Sequence, residues 1–422
     1  MKKKLHQIII SVNVGYFLAV REIKRANKWT TILITFVMML TFLNLIVIRG
    51  ILVGLTEGSV QSFRELYTGN IFISTLDKKS YIEDSHLAIG LAESIPLIDS
   101  VSPRYIAGGK LEADYKVQTR RDEETDQTSS VVAGINPEKE DRVTSLSKLL
   151  VKGSYLKSNT RNQILVGVSL LQKYQSAAGT GSQSLKNADV GSTVRLTVNN
   201  VVKEVVIVGV VKGKVAGVDS RIFMLDTELR PMIGRDDFNV NEIAIKSKNA
   251  ADDSRIQSIF LGNQIDKLAK VQTWQEAQPQ FIRDIAATFA VLGNLIGGIG
   301  LVVASITIFI VIFVNAITRR KYIGILKGIG INALAIESSY MFQSLFYALG
   351  GTSLGMVVVY GLLVPYFSNN PINFPFSNGI FVADLPSVLT RVVILFFATI
   401  IAGYIPARIV VKQKTLDAIL GR

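Results

Sequence analysis

The chain has 422 residues, of which 49% are hydrophobic and 19% are charged, and its mean hydropathy is +0.35. Soluble globular domains usually carry about 25% charged residues, so this composition excludes a disordered chain and a coiled-coil rod and argues against an ordinary soluble enzyme. There is no cysteine and there are two histidines, which excludes disulfides and thiolate metal sites and disfavours a histidine-rich metal site. Helices that span a membrane are therefore the first expectation.

Four stretches of the sequence are long, apolar and almost free of charge. Their lengths are close to or above the ~20 residues that a helix needs to cross a bilayer. They predict four transmembrane helices, over residues 29–49, 285–318, 338–364 and 389–407. The second would be about 51 Å long at ~1.5 Å per residue, against a hydrocarbon core of ~30 Å, so we expect it to extend outward from the membrane.

The charges divide the chain into a neutral block and a basic remainder. Of the 46 basic and 33 acidic residues, 29 of each lie within residues 50–284, which leaves 17 basic and 4 acidic residues around the apolar stretches. Because residues 50–284 carry no net charge and the basic excess lies beside the apolar stretches, the pI of 9.6 does not indicate nucleic-acid binding. Cations beside membrane helices mark their cytoplasmic ends.

The positive-inside rule predicts the topology. Residues 1–28, the connection 319–337 and the tail 408–422 carry the basic excess and are expected in the cytoplasm. The block 50–284 and the loop 365–388 are then expected outside. The first apolar stretch is too long for a cleavable signal peptide and is expected to be a retained anchor. The predicted location is the cytoplasmic (inner) membrane, with a periplasmic or extracellular domain.

The segment before the first span has cations at helical spacing. Arg21, Lys24, Arg25 and Lys28 fall at i, i+3, i+4 and i+7, which would place them on one helical face. This pattern predicts an amphipathic helix on the inner leaflet, with its cations at anionic headgroups of membrane lipids. The alternative is a solvated charge run that only enforces topology.

The block 50–284 has the pattern of one large α+β domain, with two lobes divided near residue 130 as an open alternative. Short β-branched runs predict strands at 70–74, 131–135, 163–166, 194–198, 201–211 and 242–245. Helical patterns occur at 84–94, 169–174 and 252–270. Polar segments at 119–130 and 175–189 are expected to be exposed loops or hairpin tips, not domain boundaries. The predicted fold class is thus a membrane protein with four transmembrane α-helices and an α+β extracytoplasmic domain between helices 1 and 2.

Two pairs of glycines inside the spans have the spacing that allows close helix packing. Gly293 and Gly297 lie in the second span, and Gly351 and Gly355 lie in the third. Small residues four apart let helix backbones approach each other. Because glycine is common in membrane helices, chance is the alternative.

Motifs for covalent chemistry are missing from the sequence. It contains no G-x-x-x-x-G-K-[ST] phosphate loop, no H-E-x-x-H zinc motif and no G-x-S-x-G elbow. We therefore expect a non-catalytic membrane subunit that itself binds no cofactor and no metal.

The most informative segment is the short connection between the second and third spans. Residues 319–332 start with basic side chains and continue with apolar residues and glycines, which a simple charged turn does not need. The apolar side chains would be unfavourable in water unless they contacted something. The segment predicts a docking site made of Arg320, Lys321, Ile323, Gly324, Ile325, Leu326, Lys327 and Gly330.

Three stretches resemble FtsX-like ABC-transporter permeases of the MacB and lipoprotein-releasing LolC/LolE type. FLAVREIKRANKWTTILIT is similar to the family's amphipathic lead into span one, RRKYIGILKGIG to its coupling stretch, and PARIVVKQKTLDAIL to its tail. The order of one span, an outer domain and three spans is also the family's. The sequence departs from the family pattern at Tyr322, where Glu is usual, at Gly328, where Ala is usual, and at Thr415, where Pro is usual.

The resemblance implies a permease subunit that couples ATP hydrolysis to movements of its outer domain. It implies an ABC ATPase subunit in trans, which would use ATP and Mg, and a second permease copy, identical or related. The ATPase would dock on the 319–332 connection. The implied transported substrate is a lipoprotein, another amphiphile or a peptide.

Two other classes of function stay open. One is a signalling or regulatory protein of the FtsX type, which controls an extracytoplasmic hydrolase or senses a peptide. The other is a membrane-anchored binding module without energy input. Co-purification with a hydrolase or a histidine kinase would favour the first, and a neighbouring ATPase gene would argue against the second.

Overall fold

A computed structural model describes residues 2–116, 125–175, 183–374, 377–379 and 381–412. The chain divides into two compact units. We call Met1–Leu55, Ile285–Ile372 and Gly379–Arg422 the helical unit, and Thr56–Asp284 with Asn373–Asn378 the sheet unit.

The elements alternate between long helices in the helical unit and short elements in the sheet unit. In chain order the helices are α1 Lys2–Arg25, α2 Lys28–Phe63, α3 Ser85–Ser94, α4 Pro137–Thr144, α5 Ala216–Asp219, α6 Asp226–Met232, α7 Asp253–Gly262, α8 Gln280–Thr318, α9 Arg320–Gly328, α10 Ala333–Val358, α11 Val364–Asn369 and α12 Leu385–Val411. The strands are β1 Ile71–Thr75, β2 Ile98–Glu112, β3 Gln127–Ile135, β4 Leu150–Gly153, β5 Gln163–Gly167, β6 Thr193–Val198, β7 Val201–Val211, β8 Arg221–Leu225, β9 Glu242–Ser247, β10 Ala269–Thr273, β11 Ile372–Phe374 and β12 Ser377–Gly379.

Within the described residues, four helical segments are long and apolar enough to cross a membrane: Lys28–Thr68, Gln280–Thr318, Ala333–Asn369 and Leu385–Val411. They contain the four predicted spans, which confirms a membrane protein with four apolar helices. All four are longer than the predicted spans. The first continues because its apolar pattern does not stop at residue 49, and a π-helical turn follows at Arg64–Thr68.

Local sequence sets the starts of the last two spans. Asn332 caps α10, because its side chain accepts a hydrogen bond from the Leu334 amide at 3.1 Å. Asp384 caps α12 in the same way, through the Ser387 amide at 3.0 Å. The connections between the spans are therefore shorter than the predicted 319–337 and 365–388.

The core of the helical unit joins α2, α8, α9, α10 and α12. Its fully buried side chains include Met38 and Phe42 of α2, Ile312 of α8 and Leu395 of α12. Apolar residues also face outward along the same helices, and examples are Val302 and Phe397, at 58% and 64% exposure. Helices that are apolar on both sides are typical of a bundle surrounded by lipid.

The sheet unit contains one ten-stranded mixed sheet. Its strands follow the order β10-β1-β9-β2-β3-β8-β5-β7-β4, and β6 pairs with β2 and β7. Successive residues of a strand point to opposite faces of the sheet, so they enter different hydrophobic clusters. Val132 joins one cluster, and the next residue, Ala133, joins another. The α+β class of the predicted domain is confirmed.

A division into two lobes near residue 130 is not what the structure shows. That position lies inside β3, which pairs with β2 on one side and with β8 on the other. The hydrogen-bonded sheet therefore continues across the expected boundary. The polar segments at 119–130 and 175–189 lie partly outside the described residues.

The six predicted strands are present as β1, β3, β5, β6, β7 and β9. Helix α3 occupies the first helical pattern, whereas 169–174 forms two short 3-10 turns. The helix predicted at 252–270 is wrong in its second half, because α7 ends at Gly262 and β10 begins at Ala269.

Candidate functional site

Helix α9 connects two spans, and glycine determines where it ends. Gly330 has a φ of +90°, a conformation that glycine adopts without steric strain. Its amide donates to the Lys327 carbonyl at 3.0 Å, and the Ile331 amide donates to the Leu326 carbonyl at 3.0 Å. These two bonds form a Schellman motif, which ends α9 after 9 residues.

The two sides of α9 have different surroundings. Ile323, Gly324 and Leu326 are buried in the helical unit. Tyr322, Ile325 and Ile329 are 45%, 52% and 71% exposed. Positions 322, 325 and 329 follow i, i+3 and i+7 spacing and therefore share one face. We call Tyr322, Ile325 and Ile329 the apolar strip of α9.

This arrangement corrects the expected docking site. Ile323 and Leu326 were expected to contact a partner, but at 2% and 7% exposure they have little surface to offer. Gly324 is also turned inward. Ile325 stays available, and Tyr322 and Ile329 join it. Local sequence does not distinguish the inward side of α9 from the outward side, because both sides are apolar.

The cations of α9 also differ from one another in their surroundings. The Lys327 ammonium donates to the Val411 carbonyl at 2.9 Å, at the end of α12. A cation is favourable at a helix C-terminus because of the helix dipole. Lys327 is therefore an internal anchor as well as a candidate rim charge. Lys321 is exposed and Arg320 is half-buried.

The segment predicted to be an interfacial helix forms α1, but its cations do not lie on one continuous helix. Helix α1 ends at Arg25, and Lys28 begins α2. The break has a local cause: the Asn27 side chain accepts from the Trp29 amide at 2.9 Å and so caps the next helix. Arg21, Lys24 and Arg25 are exposed on α1.

One face of α1 is packed on α10. Ser11, Gly15 and Ala19 are buried on it, one turn apart. A Cβ atom at Gly15 would lie 2.7 Å from the Ala335 carbonyl oxygen and still nearer to the Ser338 hydroxyl. The contact requires glycine, so α1 is held against α10 by protein contacts. Aromatic Tyr16 and Phe17 remain 59% and 62% exposed on the same helix.

Glu22 is a functional candidate that the sequence pattern did not reveal. Its carboxylate accepts a hydrogen bond from the Gln343 side chain and lies 3.9 Å from the Arg319 guanidinium. It therefore ties α1 to α10 and to the end of α8. Burial raises the pKa of the Glu22 carboxyl above its usual range, although Arg319 and Gln343 act in the opposite direction. A lone Glu in a basic stretch has no signal that indicates such a position.

The two glycine pairs have different surroundings. A Cβ at Gly351 would lie 2.8 Å from the Met39 amide nitrogen, and one at Gly355 would lie 3.0 Å from Phe42 Cε1. Cβ atoms at Gly293 and Gly297 would meet neighbours at 3.5 Å and 3.4 Å, which is ordinary van der Waals contact. Close backbone approach thus requires glycine in α10 but not at the α8 pair.

In the sheet unit, charged side chains are buried around Tyr67. Its ring lies 5.2 Å from the Arg104 guanidinium and 4.6 Å from that of Arg221. Arg104 pairs with Glu140 at 2.8 Å, and the Tyr67 hydroxyl donates to Glu242 at 3.1 Å. The cluster connects the π-helical turn that follows α2 to β2, β8, β9 and α4.

Burial and charge act in opposite directions on Glu242. Burial opposes its ionisation, but Arg221 and Arg104 outweigh burial and hold the pKa of Glu242 below its usual range. With several ion pairs and hydrogen bonds between its members, this cluster is suited to rigidity. Across the residues that the structure describes, no group of three His, Cys, Asp or Glu side chains could hold a metal ion.

Residues 294–415 match the family model described as FtsX-like permease C-terminal, so this part of the chain is an FtsX-like permease domain. The match includes α9–α12 and most of α8. It confirms the family resemblance that the coupling stretch indicated. Tail residues 413–422, which include Thr415, lie outside the described residues.

Two curated relatives are macrolide export ATP-binding/permease proteins of Yersinia pestis bv. Antiqua. MacB 2 of strain Antiqua and MacB 1 of strain Nepal516 are each 28% identical to this chain over 142 residues. The alignment covers 33% of this chain and 20% of each relative, so the chain matches about a fifth of their length. The solved periplasmic region of MacB from Actinobacillus actinomycetemcomitans matches 50% of this chain and 92% of its own, at 14% identity and a TM-score of 0.33. That score is too low to establish a shared fold.

Proposed function

We propose that this chain is the permease subunit of an ABC transporter and is moved by ATP hydrolysis in a separate ATPase subunit. The observation that carries the proposal is that one side of α9 is buried and the other is exposed. Its apolar strip is exposed, whereas Ile323 and Leu326 fix the opposite side in the helical unit. An exposed apolar strip on an anchored helix is suited to a protein partner. The match to FtsX-like permeases includes this helix.

Movement of α9 would be passed to two spans. The Ile323 amide donates to the Arg319 carbonyl at 3.0 Å, so α9 follows the end of α8 directly. The bond from Lys327 to Val411 joins α9 to α12. Helix α8 is continuous over 39 residues, or about 58 Å at ~1.5 Å per residue. A continuous helix has no internal hinge, which supports its role as a mechanical element.

The remaining partners follow from the same proposal. The ATPase would bind ATP and Mg, and a second permease copy, identical or related, would complete the assembly. The cations of α1 would contact anionic lipids of the inner leaflet, with both termini in the cytoplasm. The sheet unit would act outside the membrane, on a lipoprotein, another amphiphile or a peptide.

The test is purification of the intact chain from membranes, followed by mass spectrometry of bound proteins and ligands. We expect an ABC ATPase in amounts comparable to the chain, and a bound amphiphile or peptide. The control is the Ile325→Glu variant, which should lose the ATPase and keep its fold. Capture of a cell-wall hydrolase or a histidine kinase with the ATPase would support the regulatory function instead. Absence of any ATPase from wild-type preparations would contradict the proposal.

A further inference from the structure

Two arginines lie together at one end of the helical unit. Arg49 of α2 and Arg391 of α12 line the same small cavity, with a volume of about 20 Å³. Such a volume accommodates one or two atoms of water size, so it suits the oxygen atoms of a larger group that lies outside. Both residues stand at the ends of predicted spans that face the 50–284 block and the 365–388 loop.

Helix α8 lies against both arginine side chains. Gly293 and Gly297 are one turn apart on α8 and therefore share a face. A Cβ at Gly293 would lie 3.5 Å from Arg49 Cγ, and one at Gly297 would lie 3.6 Å from Arg391 Nη1. The glycine pair, which is not needed for close helix packing, thus leaves room for the two arginines.

The charges around the cavity do not balance. Arg49 donates to the Ser387 hydroxyl at 2.6 Å, and Arg391 donates to the Asn294 side-chain oxygen at 3.4 Å. Both acceptors are neutral. Among the ten residues that line the cavity, Asp384 is the acid, and one of its oxygens already caps α12. Two half-buried like charges at the ends of membrane spans are unfavourable without an anion between them.

The surface that continues from the pair toward the middle of the span is apolar. Ile394 lies one turn beyond Arg391 and is 47% exposed. Gly298 lies one turn beyond Asn294, and a Cβ placed there would meet no atom within 4 Å. An acyl chain could lie along this surface while its headgroup stayed at the arginines.

We propose that Arg49 and Arg391 bind the phosphate group of a membrane phospholipid. Guanidinium groups present several donors in a planar arrangement that fits phosphate oxygens. The position at a bilayer interface and the adjoining apolar surface favour a lipid over free phosphate. The ten lining residues all belong to the helical unit.

The test is titration of the full-length chain in detergent with three probes. These are phosphatidylglycerol, a diacylglycerol with the same acyl chains, and inorganic phosphate, with binding read by native mass spectrometry and by thermal unfolding. We expect phosphatidylglycerol to bind and to stabilise, and the other two to have no effect at matched concentrations. Equal stabilisation by inorganic phosphate would overturn the lipid in favour of a soluble anion. Equal binding of diacylglycerol would show that the arginines play no part.

Variants test the residues themselves. The double variant Arg49→Gln, Arg391→Gln should weaken phosphatidylglycerol binding at least tenfold, whereas the matched control Arg408→Gln, on the exposed opposite end of α12, should change it less than twofold. Gly297→Leu, which keeps both arginines but fills the space before Arg391, should also weaken binding and covers the case in which the double variant fails to fold. Unchanged binding in both would overturn the site. Loss of a dimer instead of a lipid would show that a second copy covers the pair.

Discussion

Two isoleucines of α9 undergo the same chemical change with opposite expected consequences. Ile325 is 52% exposed, and Ile323 is 2% exposed. Ile325→Ala should leave the chain stable and weaken ATPase docking, because Ile325 belongs to the apolar strip. Ile323→Ala should destabilise the fold, because its side chain fills the core of the helical unit.

The sizes of both effects follow from burial. Full burial of an isoleucine side chain stabilises by about 1.5–3 kcal/mol. Docking can bury only the exposed half of Ile325, so Ile325→Ala should lose roughly 1 kcal/mol of binding free energy, or about fivefold in Kd. Ile323→Ala removes atoms that are already buried and leaves a cavity, for which losses of about 2–5 kcal/mol in unfolding free energy are typical.

The assay measures both quantities on each variant. Affinity for the co-purifying ATPase is measured with the chain in lipid nanodiscs, and unfolding is followed in detergent. A fivefold loss of affinity without destabilisation is expected for Ile325→Ala, and a destabilised chain is expected for Ile323→Ala. If Ile325→Ala binds the ATPase as tightly as wild type, the apolar strip is not the docking surface. If Ile323→Ala is as stable as wild type, the inward face of α9 is wrongly assigned.

Three further outcomes are expected. Gly351→Ala should lower stability by about 1–3 kcal/mol in thermal unfolding, because a Cβ there would overlap α2, whereas Gly298→Ala, in open space, should be neutral; equal effects would contradict the packing. Since the folded-state pKa of Glu242 is depressed, its contribution is fully present above the ordinary value of 4.5 and is lost as pH falls through the lower folded value; Glu242→Gln should flatten that acid-side loss, and an unchanged pH profile would refute it. For the topology, a cysteine at exposed Ser129 should react with an impermeant thiol reagent on intact cells, whereas one at exposed Asn13 should react only after permeabilisation; the reverse would invert the predicted orientation.

The sequence predicted the helices better than the sheet. Four apolar stretches formed four helices because a hydrophobic span in a membrane has to satisfy its backbone hydrogen bonds internally. The predicted strands were those in which β-branched residues recur at short spacing. The long strand β2 was missed because Pro103, Gly108 and Gly109 interrupt its pattern. Pro103 is tolerated because that part of β2 pairs with β9 alone, and β3 joins only from Arg104. Such pairing is a tertiary property that local pattern cannot contain.

The sequence indicated where in the chain the candidate site lies, but not which of its side chains face outward. The resemblance indicated the connection between the second and third spans, and charge spacing indicated α1. Helix α9 has apolar residues on both sides, so nothing local distinguishes Ile323 from Ile325. Likewise, Glu22 is one acid among cations until α10 brings Gln343 to it. In both cases the missing information is which neighbouring helix covers which face.

The proposed lipid site and the proposed docking strip act on the same two helices. Helix α9 follows α8 directly through Arg319 and is bonded to α12 through Val411. Gly297, in the middle of α8, faces Arg391 near the start of α12. A movement of α8 against α12 would change the spacing of the arginines and hence their affinity for phosphate. Coupling of this kind is reciprocal. A lipid that binds one arrangement of the arginines more tightly must therefore favour the matching position of α9, and so shift the affinity of the chain for its ATPase by the same factor.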